Sequence, residues 1–251
     1  MAGEAEVRNA EGAGRFLIVC EHASNAFPAE FGALGLDAAA CEAHIAWDPG
    51  ALGVARHLSD LLDAPLVAAT VSRLVYDCNR APDAPGAMAE RSEIYDIPGN
   101  RDLDVDARVR RTEAVYLPFQ AALTGQLARM LARRVRPVLV TIHSFTPVWF
   151  GVRREVELGI IHDADPCFAQ ALVAAARDLP LRVALNEPYS SADDVVHTLK
   201  LHATPHGLPH AMLEIRNDLI ADSSSQETMA ESLAPVLVRA LGGCPKSGRA
   251  A

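Results

Sequence analysis

Phe16-Leu17-Ile18-Val19-Cys20-Glu21-His22-Ala23-Ser24-Asn25 sets an apolar run directly against a polar cluster. Phe16 to Cys20 reads as a buried strand from its unbroken apolar character. Glu21, His22, Ser24 and Asn25 follow at once, and an unpaired buried polar group costs roughly 1–3 kcal/mol. A strand that ends this way needs partners for its last residues. The pattern recurs along the chain. A predicted strand over 66–71 leads into Ser72-Arg73 and on to Asp77. Another over 137–142 stops at His143-Ser144, and one over 158–161 stops at His162-Asp163. A strand over 210–215 contains Glu214 and runs into Arg216.

Helical segments fall between these runs. The pattern predicts helices over about 48–62, 104–134 (with a break near Pro118), 166–178 and 228–241, and a short strand over 182–185. Residues 80–102 read as a long loop, a class that is often functional. Strands alternating with helices argue for an α/β fold, a three-layer sandwich around a mainly parallel mixed sheet. Ligands of such sheets bind at the carboxyl ends of the strands. The polar strand ends would then converge on one rim. The expected organisation is one domain over 15–242, with loose tails at 1–14 and 243–251.

Composition narrows the function. The chain has 251 residues, half of them hydrophobic, which suffices for one large core. Its net charge is −9 and no Lys/Arg run stands out, which argues against nucleic acid or an anionic membrane surface as partner. No stretch approaches the roughly 18 apolar residues of a membrane span, and the start has no cationic-then-apolar leader. Cys20, Cys41, Cys78, Cys167 and Cys244 are scattered and odd in number, so they read as reduced thiols of a cytoplasmic protein.

Two histidines and a carboxylate form a common catalytic zinc set. His22 and His143 are the natural imidazole pair. Asp48 and Glu21 compete for the third place: Asp48 also reads as a helix N-cap, and Glu21 can join His22 only if the strand has already ended. Glu214 is the candidate proton carrier, with a salt bridge to an arginine as its structural alternative. Arg216 shares its strand face. Asn79-Arg80 offers a guanidinium beside an amide, suited to a substrate carboxylate, and Arg73 has either a binding or a structural reading. Ser24 and Ser144 lack the GxSxG elbow of serine hydrolases. Residues 202–204 read as part of a lid, and Tyr189 as a turn residue or a pocket wall.

Seven blocks in order resemble the N-formylglutamate amidohydrolase family: Cys20–Ala26, His44–Ala51, Ser72–Arg80, Ile97–Asn100, Ile142–Pro147, Asn186–Ser190 and Glu214–Ile220. The resemblance implies a zinc-carboxypeptidase-like fold and hydrolysis of N-formyl-L-glutamate to formate and glutamate, a step of histidine degradation. It implies Zn2+, or another divalent ion, at His22, His143 and Asp48, with Glu214 as the catalytic carboxylate. Asn79 and Arg80 are similar to the pair with which zinc carboxypeptidases grip a substrate carboxylate. The implied partner is a small anionic N-acyl amino acid. Residues 148–157 and 81–96 depart from the family pattern beside the expected pocket, which leaves the substrate more open than the reaction. A zinc amidase or carboxypeptidase acting on a peptide or peptidoglycan fragment, and a non-catalytic metabolite-binding relative, are the alternatives.

Overall fold

A computed structural model of the chain describes residues 3–244. Strand β1 (Glu6–Arg8) forms one edge of the main sheet and β2 (Phe16–Cys20) lies inside it. Helix α1 (Ala38–Glu42) starts where the Asp37 carboxylate accepts the Ala40 N–H. Helix α2 (Ala51–Leu61) opens at Gly50, whose φ is 81°. A Cβ there would lie 2.3 Å from the Ile220 carbonyl oxygen, so only glycine fits this tight entry.

After β3 (Leu66–Ala68) comes the long loop, which carries a hairpin of β4 (Arg91–Ser92) and β5 (Tyr95–Asp96). Helices α3 (Val105–Arg111) and α4 (Leu117–Ala132) are joined by a π-helical turn, Thr112–Tyr116. The break expected near Pro118 is this turn. Proline then sits in the first turn of α4, where its missing N–H does least harm.

Strand β6 (Val138–Phe145) runs on past the predicted end to take in His143 and Ser144. A second hairpin, β7 (Val148–Trp149) and β8 (Val152–Arg153), precedes β9 (Leu158–Ile161). Helix α5 (Cys167–Ala175), β10 (Val183–Leu185), α6 (His197–His202) and β11 (His210–Arg216) follow. The last helix, α7 (Ser223–Gly243), begins at an Asp222–Ser225 capping box.

The sheet has seven strands in the order β1-β3-β2-β6-β11-β9-β10. Strands β3, β2, β6 and β11 run parallel, while β9 is antiparallel to β11. Alternate residues enter two cores, as the two-residue period of a strand requires. Phe16, Ile18, Val140 and Leu213 pack with α2, α5 and α7. Leu17, Val19, Leu139 and Met212 pack with α4 and α6 on the other face. Fully burying one such side chain stabilises by about 1.5–3 kcal/mol. The three-layer mixed α/β sandwich expected from the sequence is the one observed.

Direction decides which strand ends meet. The carboxyl ends of β3, β2, β6 and β11 share one rim. The reversal of β9 sets Ile161 opposite Met212 and Leu158 opposite Ile215, which carries His162 and Asp163 to the opposite rim.

Two expectations are corrected. Residues 6–8 are not part of a loose tail: β1 pairs with β3, Glu6 opposite Ala68. Its charges hold it there, through Arg56–Glu6 at 2.7 Å and Arg8–Asp60 at 2.8 Å, and a short charged strand covers the sheet edge. The cysteines are not all reduced thiols, because Cys167 and Cys244 form a disulfide while Cys20, Cys41 and Cys78 are free. Packing of α5 on α7 brings the start of one helix to the end of the other, across a sequence separation of 77 that no local spacing reveals. Gly243 belongs to α7, and residues 245–251 of the predicted second tail lie outside the described residues. No helix among the described residues is long and apolar enough to cross a membrane.

Candidate active site

Strand β2 ends at Cys20, so Glu21 and His22 lie in the turn that follows. The His22 carbonyl accepts the Asp48 N–H at 2.9 Å, and the Ala46 carbonyl accepts both Arg73 N–H and Ser72 Oγ–H. Three loop segments are thereby fastened over the rim. His143 and Glu214 come from the adjacent strands β6 and β11, where they are direct register partners.

These elements bring three buried donors together. His22 Nδ1 lies 3.2 Å from Asp48 Oδ2, His143 Nδ1 lies 2.9 Å from the same oxygen, and the two Nδ1 atoms are 3.1 Å apart. A tetrahedral ion with ligands at about 2.0–2.1 Å has ligand–ligand edges of about 3.3 Å. The three observed edges are close to that.

Behind each imidazole stands a carboxylate. His22 Nε2 faces Asp77 Oδ1 at 2.8 Å, and His143 Nε2 faces Glu21 Oε2 at 3.0 Å. Each pairing favours the tautomer with hydrogen on Nε2, which points both Nδ1 lone pairs at Asp48. Two lone pairs and a carboxylate oxygen at 3 Å require a positive charge between them. A proton is one answer: burial opposes it, but Glu21 and Asp48 hold the His143 imidazole well above its ordinary pKa. A metal cation is the other, and this donor set fits one. Among the described residues, His22, Asp48 and His143 are the group able to hold a metal.

Asp48 is therefore not an N-cap. Although burial would raise its pKa, His22 and His143 hold it below the usual carboxylate range. It also accepts the Ser144 N–H at 3.2 Å. Glu21, its rival as ligand, stands behind His143 instead.

Glu214 lines the same cavity. Burial, with Asp48 nearby, pushes its carboxyl up to about 7. A carboxyl poised there takes up and gives back a proton near neutral pH.

The cavity holds ≈ 210 Å³, below the roughly 300–1,000 Å³ of pockets for drug-sized ligands. Arg73 and Arg80 both line it. The Arg73 guanidinium is neutralised by Asp77 at 2.7 Å and Asp48 at 3.5 Å. Among the described residues, Arg80 donates hydrogen bonds to two carbonyls, those of Asn79 and Asp194, and forms no ion pair.

Two predicted binding residues are otherwise engaged. The Asn79 amide donates to the Val195 carbonyl and accepts the Thr198 N–H at 2.9 Å, which ties residues 195–198 to the site. Arg216 does share the Glu214 face, but its guanidinium turns to Asp218 at 2.8 Å and Glu157 at 3.2 Å. The structure does not bring it into the cavity lining. Nor do residues 202–204 cover the site: His202 is buried against Gln120, and Thr204 bonds Asp163 on the opposite rim.

The sequence reading assigned no role to Asp77 or to the aromatic residues Phe145 and Trp149 of the lining. Asp77 stood in plain view four residues after Arg73, a spacing at which opposite charges pair. Tyr189, read as turn or wall, is a wall.

Fold and site together define a three-layer α/β protein with a buried two-histidine, one-carboxylate group at the carboxyl rim of its sheet, facing a small cavity. The chain belongs to the N-formylglutamate amidohydrolase family of hydrolases, whose model matches residues 14–221. A gene product of Agrobacterium tumefaciens is 50% identical, with a TM-score of 0.94 over 96% of this chain and 95% of that one. N-formylglutamate amidohydrolase from Ralstonia eutropha is 21% identical, with a TM-score of 0.65 over 96% of this chain and 98% of that one, a likeness of fold. No curated protein matches the chain.

Proposed function

We propose that the protein is a metal-dependent amidohydrolase that cleaves the linear amide of a small N-acyl amino acid. N-formyl-L-glutamate, yielding formate and L-glutamate, is the first substrate to test. The observation that carries the reading is the convergence of His22, His143 and Asp48 in one cavity with a carboxyl, Glu214, raised to about 7.

His22, Asp48 and His143 would hold the ion, zinc by ligand type, with Mn2+, Fe2+ or Co2+ also compatible. Bound there, such an ion supplies Lewis acidity that polarises an acyl carbonyl and lowers the pKa of water towards ~7. The remaining work falls to side chains. Glu214 accepts the proton that water loses as it attacks the acyl carbon, then donates it to the leaving amine nitrogen. Arg80 presents its unused N–H groups to the substrate carboxylate, a fork that carboxylates match. Asp77 and Glu21 keep the two imidazoles turned with Nδ1 forward. Arg73 neutralises Asp77 and Asp48 and keeps both ionised.

Metal content and formate release from N-formyl-L-glutamate, measured before and after chelation, test the reading. Near one equivalent of metal is expected, with release that chelation abolishes and metal restores. A protein that binds no metal and releases no formate under any reconstitution would be a binding protein instead.

A further inference from the structure

The amidohydrolase reading leaves open which residues hold the substrate's side chain, and the cations around the cavity differ in how they are paired. Arg73 is neutralised by Asp77 and Asp48, and His44 faces Glu93 at 3.0 Å. Among the described residues, Arg80 and Arg154 form no ion pair. Arg80 lines the cavity itself. Arg154 stands behind three of the lining residues. Its guanidinium carbon lies 5.5 Å from the Phe145 ring centroid, 4.9 Å from that of Trp149 and 5.0 Å from that of Tyr189. Rings at such distances hold a cation by their electron-rich faces and supply no counter-charge. A guanidinium half-buried in this way is ordinarily paired, and here the place of its anion is left over.

Tyr189 connects that charge to the cavity. Arg154 Nη2 donates to the Tyr189 hydroxyl at 2.9 Å. With the oxygen accepting from Arg154, the hydroxyl hydrogen turns elsewhere as a donor. Burial, with Glu214 nearby, pushes the Tyr189 pKa up, so the hydroxyl keeps its proton at neutral pH. The chain that carries Tyr189 also reaches the other cation: Arg80 donates to the Asp194 carbonyl and the Asn79 amide to that of Val195. One strap, residues 186–196, therefore fixes Tyr189 relative to Arg80.

We infer that Tyr189 and Arg154 form the subsite for the side-chain carboxylate of an acidic N-acyl amino acid. The Tyr189 hydroxyl donates to that carboxylate, and Arg154 behind it supplies the charge and holds the hydroxyl in place. Arg80 takes the α-carboxylate, which every such substrate carries beside the scissile amide. Tyr189 touches the substrate, and Arg154 is a positioning residue that acts through it. This assignment rests on the amidohydrolase reading and deepens it. It also keeps an acidic substrate in a site whose 148–157 stretch, Arg154 included, departs from the family pattern.

The test compares kcat/KM of the metal-loaded protein for N-formyl-L-glutamate and N-formyl-L-glutamine, which have the same shape and differ in the side-chain charge. The wild type should favour the glutamate compound about 10–100-fold, the usual range for hydrogen bonds to a charged group. Arg154→Gln should remove most of that preference by raising KM for the glutamate compound, with kcat largely kept and the glutamine compound little affected. Arg154→Lys should restore part of the preference. Tyr189→Phe keeps the ring and its packing, and should lower the preference about tenfold. Equal losses on both substrates in Arg154→Gln and in Tyr189→Phe would make the pair a structural support of the wall and overturn the subsite. Equal use of the two compounds by the wild type would overturn it as well, with the amidohydrolase reading left in place. Turnover of neither compound would remove that reading, and the subsite with it.

Discussion

His22 and His143, 121 residues apart in the chain, point their Nδ1 atoms at each other across 3.1 Å. Neither ring chose that orientation alone. Asp77 holds Nε2 of the first and Glu21 holds Nε2 of the second. The site is thus two carboxylate–imidazole pairs meeting head-on, with Asp48 at the junction.

That arrangement makes Asp77 a determinant of metal affinity although it is no ligand. Asp77→Asn should weaken metal binding by about 10–100-fold, the usual cost of losing such a support, while His22→Ala should abolish binding at the site. Competition against a chelator of known affinity measures both. Unchanged affinity in Asp77→Asn would mean that the ring holds its orientation without the carboxylate.

Glu214 governs the chemistry. Glu214→Gln keeps size and hydrogen bonding but removes the base, so kcat should fall by about 10²–10⁴ with metal content unchanged. Burial raises Glu214 to about 7, so below that pH the carboxyl is protonated and cannot accept a proton. Activity should therefore rise with pH on the acid side, and a cation nearby moves the limb below 7 rather than above it. A kcat/KM profile flat from pH 5 to 8 would assign the proton transfer to another group.

Arg80 should act on binding rather than turnover. Hydrogen bonds to a charged group contribute about 1.5–3 kcal/mol, so Arg80→Gln should raise KM some 10–100-fold with a smaller change in kcat. Arg80→Lys should recover only part of this, because an ammonium cannot reproduce the planar fork. A variant with unaltered KM would place the carboxylate elsewhere.

Much of this was legible in the sequence, for a physical reason. Strand ends such as His143 and Glu214 announce themselves when buried apolar runs stop at polar residues, and parallel strands then gather those residues on one rim. The rule failed at β9, whose apolar run gives no sign of direction, so His162 went to the wrong rim. It was silent on Arg216 as well: strand parity placed it correctly on the Glu214 face, but Glu157 and Asp218, which claim its guanidinium, are ordinary surface acids in the sequence. The Cys167–Cys244 disulfide depends on how α5 packs against α7, a tertiary fact that residue spacing does not encode.

The last expectation concerns stability and a histidine outside the cavity lining. His202 is 5% exposed and its Nε2 lies 2.5 Å from Gln120 Oε1. Burial, reinforced by His197, lowers its pKa to about 4. In the unfolded chain the group titrates near 6.5, so between those values the unfolded state binds the extra proton. Stability is then fully present above about 6.5 and is lost as pH falls towards 4. By pH 5 the loss from this one group is about 2 kcal/mol. Many carboxylates also titrate in that range, so the informative quantity is the difference between wild type and His202→Gln in the change of unfolding free energy from pH 7.5 to 5. Urea unfolding with chelator present throughout keeps metal release out of the comparison. The wild type should lose about 2 kcal/mol more than the variant; equal losses would mean that His202 takes its proton in the folded protein as readily as in the unfolded one.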